Sequence, residues 1–248
     1  MPNRKQWRVI NRLRAGYDRR YTKLFRAVLN KQITPVLKSI DESGLMNTLE
    51  KFNELMSEDM IAKAYIKLYK DVGLRFAKIT NRSVKSDAWM EDVLSRLAFV
   101  SDPVRTRIVS VAETSRGEAL KIIQGVLDEG MTEGLGIPEI SSNIRKTLPD
   151  AWKVASKFRA QRIAQTEVVS ASNFGSIQGA KATGLPVNKV WLTGGANIRD
   201  EHLMAEGESV PIGQKFIRTG EDMDFPGDPT GSAWNVINCK CAIAYETL

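Results

Sequence analysis

Apolar residues recur every three or four positions along the first 183 residues of this 248-residue chain. In the opening stretch the recurring residues are Ile10, Leu13, Tyr17, Tyr21, Leu24 and Val28. Arginine and lysine occupy six of the thirteen positions between them, and the spacing places the apolar side chains on one face of an α-helix. Pro35 interrupts the pattern and Gly44 marks the next turn, so the sequence predicts a helix up to the proline and a new one beyond it.

The same periodicity predicts a series of helices through the middle of the chain. One stretch covers residues 45–76, and a shorter one covers 89–100. The next helix begins at the sequence SDP (101–103), because serine or aspartate caps a helix and proline is favoured in its first turn. Four helix-breaking residues then fall within 130–138, which predicts a loop.

Two further helices are predicted, a short one near residues 140–147 and a long one over about 150–183. One face of the long helix carries small residues, namely Ala160, Ala164, Val168, Ala171, Gly175, Gly179 and Ala182. Glycine in a helix interior costs about 1 kcal/mol relative to alanine, so such a face needs a compensating contact. We expect another helix to approach it closely.

The pattern changes after Gly184. The segment LPVNKVWLTGG (185–195) alternates apolar and polar residues as a short strand does, and glycine and proline become frequent. The final segment NCKCAIAYE (238–246) predicts a closing strand. A module of this size is marginal on its core alone and often contains a covalent or metal cross-link.

Together these patterns predict a mainly α fold in three parts, which differ in charge. A basic N-terminal helical arm (1–35) has ten lysines and arginines and one acid, a balance of +9. A multi-helix body (36–183) has a balance of +2. A small, irregular α+β C-terminal module (184–248) has a balance of −4.

The basic arm is a candidate nucleic-acid-binding element. Its cations are Arg4, Lys5, Arg8, Arg12, Arg14, Arg19, Arg20, Lys23 and Arg26, together with Lys31. Contact with a phosphate backbone through such a helix is electrostatic, non-specific and strongly dependent on salt. Two alternative roles for these cations are to form a solvated helix face or to contact an acidic protein surface. The acidic C-terminal module favours docking on another protein instead.

His202 is the only histidine in the chain, which restricts the chemistry available to it. Sites that need two histidines are excluded, including the helical zinc-protease motif and His-rich two-metal nucleases. Any Ser-His-Asp or Cys-His catalysis must use His202 as its base.

Both cysteines of the chain, Cys239 and Cys241, lie near its end and one residue apart. On a strand their sulfurs face the same side, a geometry that suits a disulfide poorly. With His202 they supply three ligands for zinc, and Asp200, Asp228 or water completes a tetrahedron. Zinc is therefore a candidate cofactor. The alternatives are two small buried core residues beside a structural histidine, or a catalytic Cys-His dyad.

Four short segments of the C-terminal sequence occur together in one known family. They are QRIAQTEVVSASNFGSIQGAKATG (161–184), VWLTGGANIRDEHLMAEGESVP, FPGDP and NCKC. In this order they resemble the Mu-F-like phage head morphogenesis proteins, also called minor head or minor capsid proteins. The resemblance covers about residues 155–246.

The resemblance implies a set of marker residues. They are Arg162, Thr166, Glu167, Asn173, Arg199, His202, Gly207, Pro226, Gly227, Asp228, Asn238, Cys239 and Cys241. The chain departs from the family pattern at Gln165, where arginine is common, and at Asn197, where aspartate is common. We expect most markers to be structural: Arg162 and Glu167 as a pair on a helix face, Gly207 and the PGDP sequence as turns.

The resemblance also implies a function. A protein of this type is a non-enzymatic component of the virion, in the head interior or at the portal vertex, after assembly in the host cytoplasm. Its expected partners are the portal protein, capsid or scaffolding proteins, and packaged double-stranded DNA. No apolar run reaches about 18 residues, so no membrane span is expected. Two alternatives are an effector or hydrolytic enzyme using His202 with Cys239 and Cys241, and a cellular helical adaptor.

Overall fold

The computed structural model describes residues 3–83 and 102–247. Its helices are α1 (Asn3–Gln32), α2 (Thr34–Ser43), α3 (Leu45–Glu50), α4 (Phe52–Leu55), α5 (Asp59–Leu68), α6 (Leu74–Ser83), α7 (Asp102–Thr132), α8 (Ile137–Lys181), α9 (Asp200–Met204) and α10 (Ala233–Val236). A π-helical turn, Tyr69–Gly73, connects α5 to α6. The expected interruptions at Pro35 and Gly44 are confirmed, since Pro35 lies in the first turn of α2 and Gly44 separates α2 from α3 with φ of 80°.

A small antiparallel sheet follows the helices. Its central strand is β1 (Val187–Leu192), which pairs with β2 (Ser209–Pro211) on one edge and β3 (Ala242–Thr247) on the other. Val190 lies opposite Ser209 of β2 and opposite Ala244 of β3. The predicted fold class, mainly α with a small α+β module at the C-terminal end, is therefore confirmed.

The chain forms two compact units, each assembled from several parts of the sequence. The sheet unit contains Met1–Tyr21, Tyr65–Val104 and Arg162–Leu248. The helical unit contains Thr22–Ala64 and Arg105–Gln161. Helices α1 and α8 each contribute residues to both units. The boundaries expected after residues 35 and 183 remain a prediction.

Helix α8 corrects one prediction from the sequence. The short and long helices expected on either side of Pro149 are a single helix of 45 residues, with the proline inside it. The buried side chains Ile140, Ile144, Leu148 and Trp152 continue at four-residue intervals across the proline. The Trp152 indole N–H also donates a hydrogen bond to the Leu29 carbonyl oxygen at 2.8 Å. Burial of this apolar stripe outweighs the loss of one backbone hydrogen bond at proline.

The close helix contact predicted from small residues is confirmed within the sheet unit. A Cβ atom at Gly175 would overlap the carbonyl oxygen of Gly73, and one at Gly179 would overlap that of Ala77. The backbone of α8 thus lies directly against the π-helical turn and α6. No side chain larger than hydrogen fits at either glycine, which explains their presence in a helix interior.

Two other expectations concern the ends of helices. The breaker-rich stretch is shorter than predicted, because α7 continues to Thr132 and α8 begins at Ile137. The helix predicted over residues 89–100 lies outside the described residues.

Within the described ranges, no helix has the length and apolar character that a membrane crossing requires.

Candidate functional site

The imidazole of His202 and the thiols of Cys239 and Cys241 form one buried cluster. The Nδ1 atom of His202 lies 3.4 Å from the Cys241 sulfur and 3.8 Å from the Cys239 sulfur. The three ligand atoms all lie within 4.8 Å of one another. Each of the three residues is only 2% exposed. The structure thus brings together the three residues that the sequence indicated as metal ligands.

Two short segments position the cluster. His202 projects from the five-residue helix α9, and the cysteines lie in the irregular segment between α10 and β3. The cysteines are therefore not part of the closing strand, which begins only at Ala242. Alternation of burial persists nevertheless, because Cys239 and Cys241 are buried while Lys240 is exposed. Both sulfurs consequently face the same side, as predicted, without a strand to impose it.

A chain of hydrogen bonds fixes the orientation of the imidazole. The Nε2 atom of His202 lies 3.2 Å from Oδ1 of Asn235. Hydrogen bonds from Ser232, and from the amide of Asn235, lower the pKa of Glu221. An amide oxygen can only accept a hydrogen bond, so the Nε2–H group of His202 donates to Asn235. The other ring nitrogen, Nδ1 of His202, faces the two sulfurs.

The two thiols do not share the same acidity. The hydrogen bond from Cys241 lowers the pKa of Cys239, and the contact with His202 lowers it further. The same contact between the sulfurs, together with burial, raises the pKa of Cys241. The backbone N–H of Cys241 also points at the Cys239 sulfur, 3.4 Å away. Of the two thiols, Cys239 is therefore the more acidic.

Arg14 corrects one assignment made from the sequence. It was grouped with the DNA-contacting cations, but it is 1% exposed and its guanidinium lies inside the sheet unit. It donates hydrogen bonds to Ser172 at 2.7 Å, to Asn173 at 2.6 Å and to the carbonyl oxygen of Cys241 at 3.0 Å. Burial lowers the pKa of Arg14 to about 10, so it remains charged at neutral pH. Its role is to bind the cysteine segment to α8.

Three marker residues hold the same segment. Asn173 donates from its amide nitrogen to the carbonyl oxygens of Pro226 and Cys241, at 2.7 and 3.2 Å. The backbone N–H of Asn238, a residue with φ of 59°, donates to the Thr166 hydroxyl at 3.1 Å.

Arg199 reaches the same segment from the start of α9. It donates to the carbonyl oxygen of Ile237 at 2.6 Å and stacks over the Trp234 ring. Backbone groups at residues 237, 238 and 241 are therefore each hydrogen-bonded to a side chain outside the segment, namely those of Arg199, Thr166 and Asn173. The family markers therefore immobilise the segment that carries the two thiols.

The remaining markers shape a turn or a helix contact. Gly227 has φ of 80°, and a Cβ atom added there would lie 3.4 Å from the backbone of Ser170. The Asp228 carboxylate accepts from the backbone N–H groups of Asp224 and Thr230, at 2.7 and 2.9 Å. These contacts are those expected of a structural turn.

The expected pairing of Arg162 with Glu167 is replaced by a different arrangement on α8. Arg162 is exposed, whereas Glu167 is buried and accepts a hydrogen bond from the Tyr69 hydroxyl at 3.1 Å. Because one side chain faces solvent and the other faces the π-helical turn, they occupy different sides of the helix.

The other cations of the basic arm lie on the surface of α1. The exposed ones are Arg4, Lys5, Arg8, Arg12, Arg19, Arg20 and Lys23, and Arg26 is half-buried. Arg20 forms a salt bridge with Asp71 at 2.7 Å. The inner face of α1 packs on the sheet instead, where the Trp7 indole N–H donates to the carbonyl oxygen of Lys240 at 2.9 Å. The predicted arm is thus one helix with an inner structural face.

Sequence reasoning missed Asn235 and Glu221, and it misplaced Arg14. A signal for Arg14 was present, because it follows Trp7 by seven residues and Ile10 by four, the spacing of a common helix face. Ser232 precedes Asn235 by three residues, which marks the start of α10. Nothing in the sequence indicates that Glu221 lies beside Asn235.

Two kinds of chemistry fit the cluster geometrically. Two sulfurs and one imidazole nitrogen suit a soft divalent cation. Cys241, His202 and Asn235 also have the order of nucleophile, base and orienting group used in cysteine hydrolases. A substrate carbonyl must reach the sulfur, however, and Asn235 is 3% exposed beside three residues that are 2% exposed. Burial therefore favours the metal.

The fourth ligands suggested by the sequence do not join the cluster. Asp200 is exposed, and Asp228 is occupied by its turn. Among the residues that the structure describes, the cluster contains three members, His202, Cys239 and Cys241.

Comparison with known proteins gives one family. The family model described as "Phage Mu protein F like protein" matches residues 121–244, which is half of the chain. The match includes the whole cluster and all the marker residues. It begins at residue 121, earlier than the resemblance read from the sequence segments, which began at about residue 155. No curated protein and no solved structure matches the chain.

Proposed function

This chain belongs to the family of phage Mu protein F-like proteins, and from that premise we propose that it is a structural minor component of a tailed-phage head. Membership of the family supports a role in phage head morphogenesis. The finer proposal is that the protein associates with the portal or the head interior and contacts packaged double-stranded DNA without sequence preference. The contact is made by the outer face of α1.

The observation that carries this proposal is that most of the exposed cations of α1 lie on one side of the helix, opposite its packed face. Within the sheet unit, the exposed cations of the helix are Arg4, Lys5, Arg8, Arg12, Arg19 and Arg20. At 100° per residue, the first five fall within an arc of about 100°. Arg14 lies on the opposite side, together with the packing residues Trp7 and Ile10. An arc of free cations on a rigid helix matches a line of phosphates.

The C-terminal module supports a different contact. Residues 184–248 carry a net charge of −4, which repels a nucleic acid. Exposed apolar side chains occur there, including Trp234 at 65% and Ile217 at 63% exposure. We propose that this module docks on another head protein, such as the portal, a capsid subunit or a scaffolding protein.

The proposed role is not enzymatic. Within residues 3–83 and 102–247, the arrangement that resembles a catalytic constellation, Cys241 with His202 and Asn235, is buried and offers a substrate no access. Native protein treated with a thiol-alkylating reagent is expected to react slowly at Cys239 and Cys241, and unfolded protein rapidly. Fast alkylation of the native protein would instead support the hydrolytic alternative.

DNA contact is tested with two variants of equal net charge. In the first, Arg8 and Arg12 are both replaced by glutamine; in the matched control, the exposed helical-unit residues Lys146 and Lys153 are replaced in the same way. Each phosphate contact contributes about 0.9 to the slope of log affinity against log salt. The first variant should lower the slope by about 2, measured by fluorescence anisotropy with duplex DNA, and the control by much less. Equal losses would show that only net charge matters.

The location is tested separately by quantitative mass spectrometry of purified proheads, filled heads and emptied heads. A few copies per particle in all three would support attachment to the portal or shell. Loss on emptying would support ejection with the DNA. Absence from every particle would contradict the structural role.

A further inference from the structure

We infer that His202, Cys239 and Cys241 bind one zinc ion, which cross-links α9 to the segment before β3. This inference does not depend on the proposed contact with DNA. It begins from the placement of three buried ligand atoms within 4.8 Å of one another. Each ligand type is one that zinc prefers, and both cysteines are free of disulfide bonds.

The distances fit a tetrahedral ion. Zinc lies about 2.3 Å from thiolate sulfur and about 2.0 Å from imidazole nitrogen, so a tetrahedral angle separates nitrogen and sulfur by about 3.6 Å. The separations observed from Nδ1 of His202 are 3.4 Å to Cys241 and 3.8 Å to Cys239. Small side-chain rotations therefore bring all three atoms to ligand distance.

The hydrogen bond between His202 and Asn235 leaves Nδ1 as the ring nitrogen that a metal can reach. The Nε2–H group of His202 donates to the amide oxygen of Asn235, 3.2 Å away. The Nδ1 atom faces the two sulfurs, and metal binding there displaces any proton that it carries. A histidine ligand whose other nitrogen donates to a side-chain oxygen is the usual arrangement at protein zinc sites, because it fixes the ring and strengthens the ligand.

The surroundings also suit this particular ion. The ligands lie in a cluster of buried apolar residues that includes Trp191, Phe216, Met223 and Val236. The Trp191 ring meets His202 edge-on, with centroids 5.6 Å apart. Zinc bound by two thiolates has no net charge, so the complex avoids the cost of burying a charge in an apolar setting. Binding releases the protons that the two thiols carry, at most two.

The cross-link gives the ion a structural role. The sheet of the module has three strands, and β2 contains only three residues. A metal that joins α9 to residues 239–241 closes the long irregular connection between them, and its binding free energy adds to folding. The fourth position is left for water, because the cluster holds three protein ligands among the described residues.

The first test uses the full-length chain, purified under reducing conditions and stripped of metal. Zinc ions alone should bind at one per chain by native mass spectrometry and raise the melting temperature; a chelator should reverse the rise. Cobalt(II) in place of zinc should give the charge-transfer absorption of a thiolate-bound ion. A folded, reduced protein that binds neither ion would overturn the inference.

The second test compares variants. His202→Asn and Cys241→Ser should lose the cobalt absorption, whereas Asp200→Asn should keep it, because Asp200 is an exposed carboxylate outside the cluster. Asn235→Leu retains all three ligands but loses the acceptor for Nε2–H, so zinc affinity should fall about 10- to 100-fold.

If Cys241→Ser or His202→Asn does not fold, the cobalt spectrum of the unaltered chain and the zinc affinity of Asn235→Leu still test whether the cluster binds the ion. Unchanged affinity in Asn235→Leu would show that Asn235 does not position His202. Loss of binding in Asp200→Asn would mean that an exposed acidic site holds the ion, and the inference would be wrong.

Discussion

The two units of the molecule are stabilised by different kinds of buried group. Of the residues whose burial is described, every buried charged residue and the buried histidine belong to the sheet unit: Arg14, Glu167, Lys189, His202, Glu208 and Asp228. The buried polar residues of the helical unit are all neutral, namely Gln32, Thr48, Ser115, Ser141 and Ser156.

This difference follows from the backbone of each unit. In the helical unit the backbone groups are satisfied within helices, and stripes such as Ile140, Ile144, Leu148 and Trp152 supply the core. The loops of the sheet unit leave backbone groups without such partners, so buried side chains provide them. Glu208, for example, accepts from the backbone N–H groups of Ile217 and Arg218. Irregular structure therefore needs buried charge where regular structure needs apolar area.

The largest expected effect comes from removing a buried charge of the sheet unit. Arg14→Met leaves Asn173 and the carbonyl oxygen of Cys241 without their charged donor, and should lower the free energy of unfolding by about 4 kcal/mol. The matched variant Arg12→Met changes an exposed cation two residues away and should stay within about 0.5 kcal/mol. Denaturant titration measures both. Similar losses in the two variants would remove the distinction between the faces of α1.

The next effect compares one glycine from each unit. Gly175→Ala places a methyl group on the Gly73 carbonyl and should lower the free energy of unfolding by about 3 kcal/mol. Gly117→Ala in α7 has no atom within 4 Å of the added Cβ, and should raise it by about 0.5 kcal/mol. Thermal or denaturant unfolding should therefore show changes in the free energy of unfolding of opposite sign for the two variants. A neutral Gly175→Ala would show that the two backbones can separate without cost.

The smallest effect tests the dependence of the sheet unit on charge state. Burial raises the pKa of Asp18 from 3.8 to about 6, against the opposing attraction of Arg14 and Lys240. The folded protein thus holds this proton more tightly than the unfolded chain, and the stability it provides is present at low pH and lost as pH rises from 3.8 to about 6.

Asp18→Asn should therefore raise the free energy of unfolding at neutral pH by about 1 kcal/mol, after allowance for partial solvent exposure. Below pH 3.8 the gain should vanish, because Asp18 is then protonated in both states. Urea titrations at the two pH values provide the measurement. A gain that is the same at both would exclude the carboxylate charge as its cause.

The sequence predicted the features that depend on local periodicity. The start of α2, the strand β1 and the small face of α8 all follow from side-chain spacing, proline or glycine. Even the pairing of the two sulfurs with His202 was accessible, because the chain has so few residues able to bind a soft metal. A single helix through Pro149 was not, since local propensity favours a break there and only tertiary burial of Leu148 and Trp152 opposes it.

By itself, the sequence thus determined the fold class, the charge of each segment and the residues able to form the cluster. Only the tertiary structure decided that Arg14 faces inward, that Asn235 orients His202, and that the chain divides into units built from distant segments. The physical reason is that a helix pattern depends on neighbours three or four residues away. A buried hydrogen bond depends instead on which loop lies opposite, and Arg14 and Cys241 are separated by 227 residues.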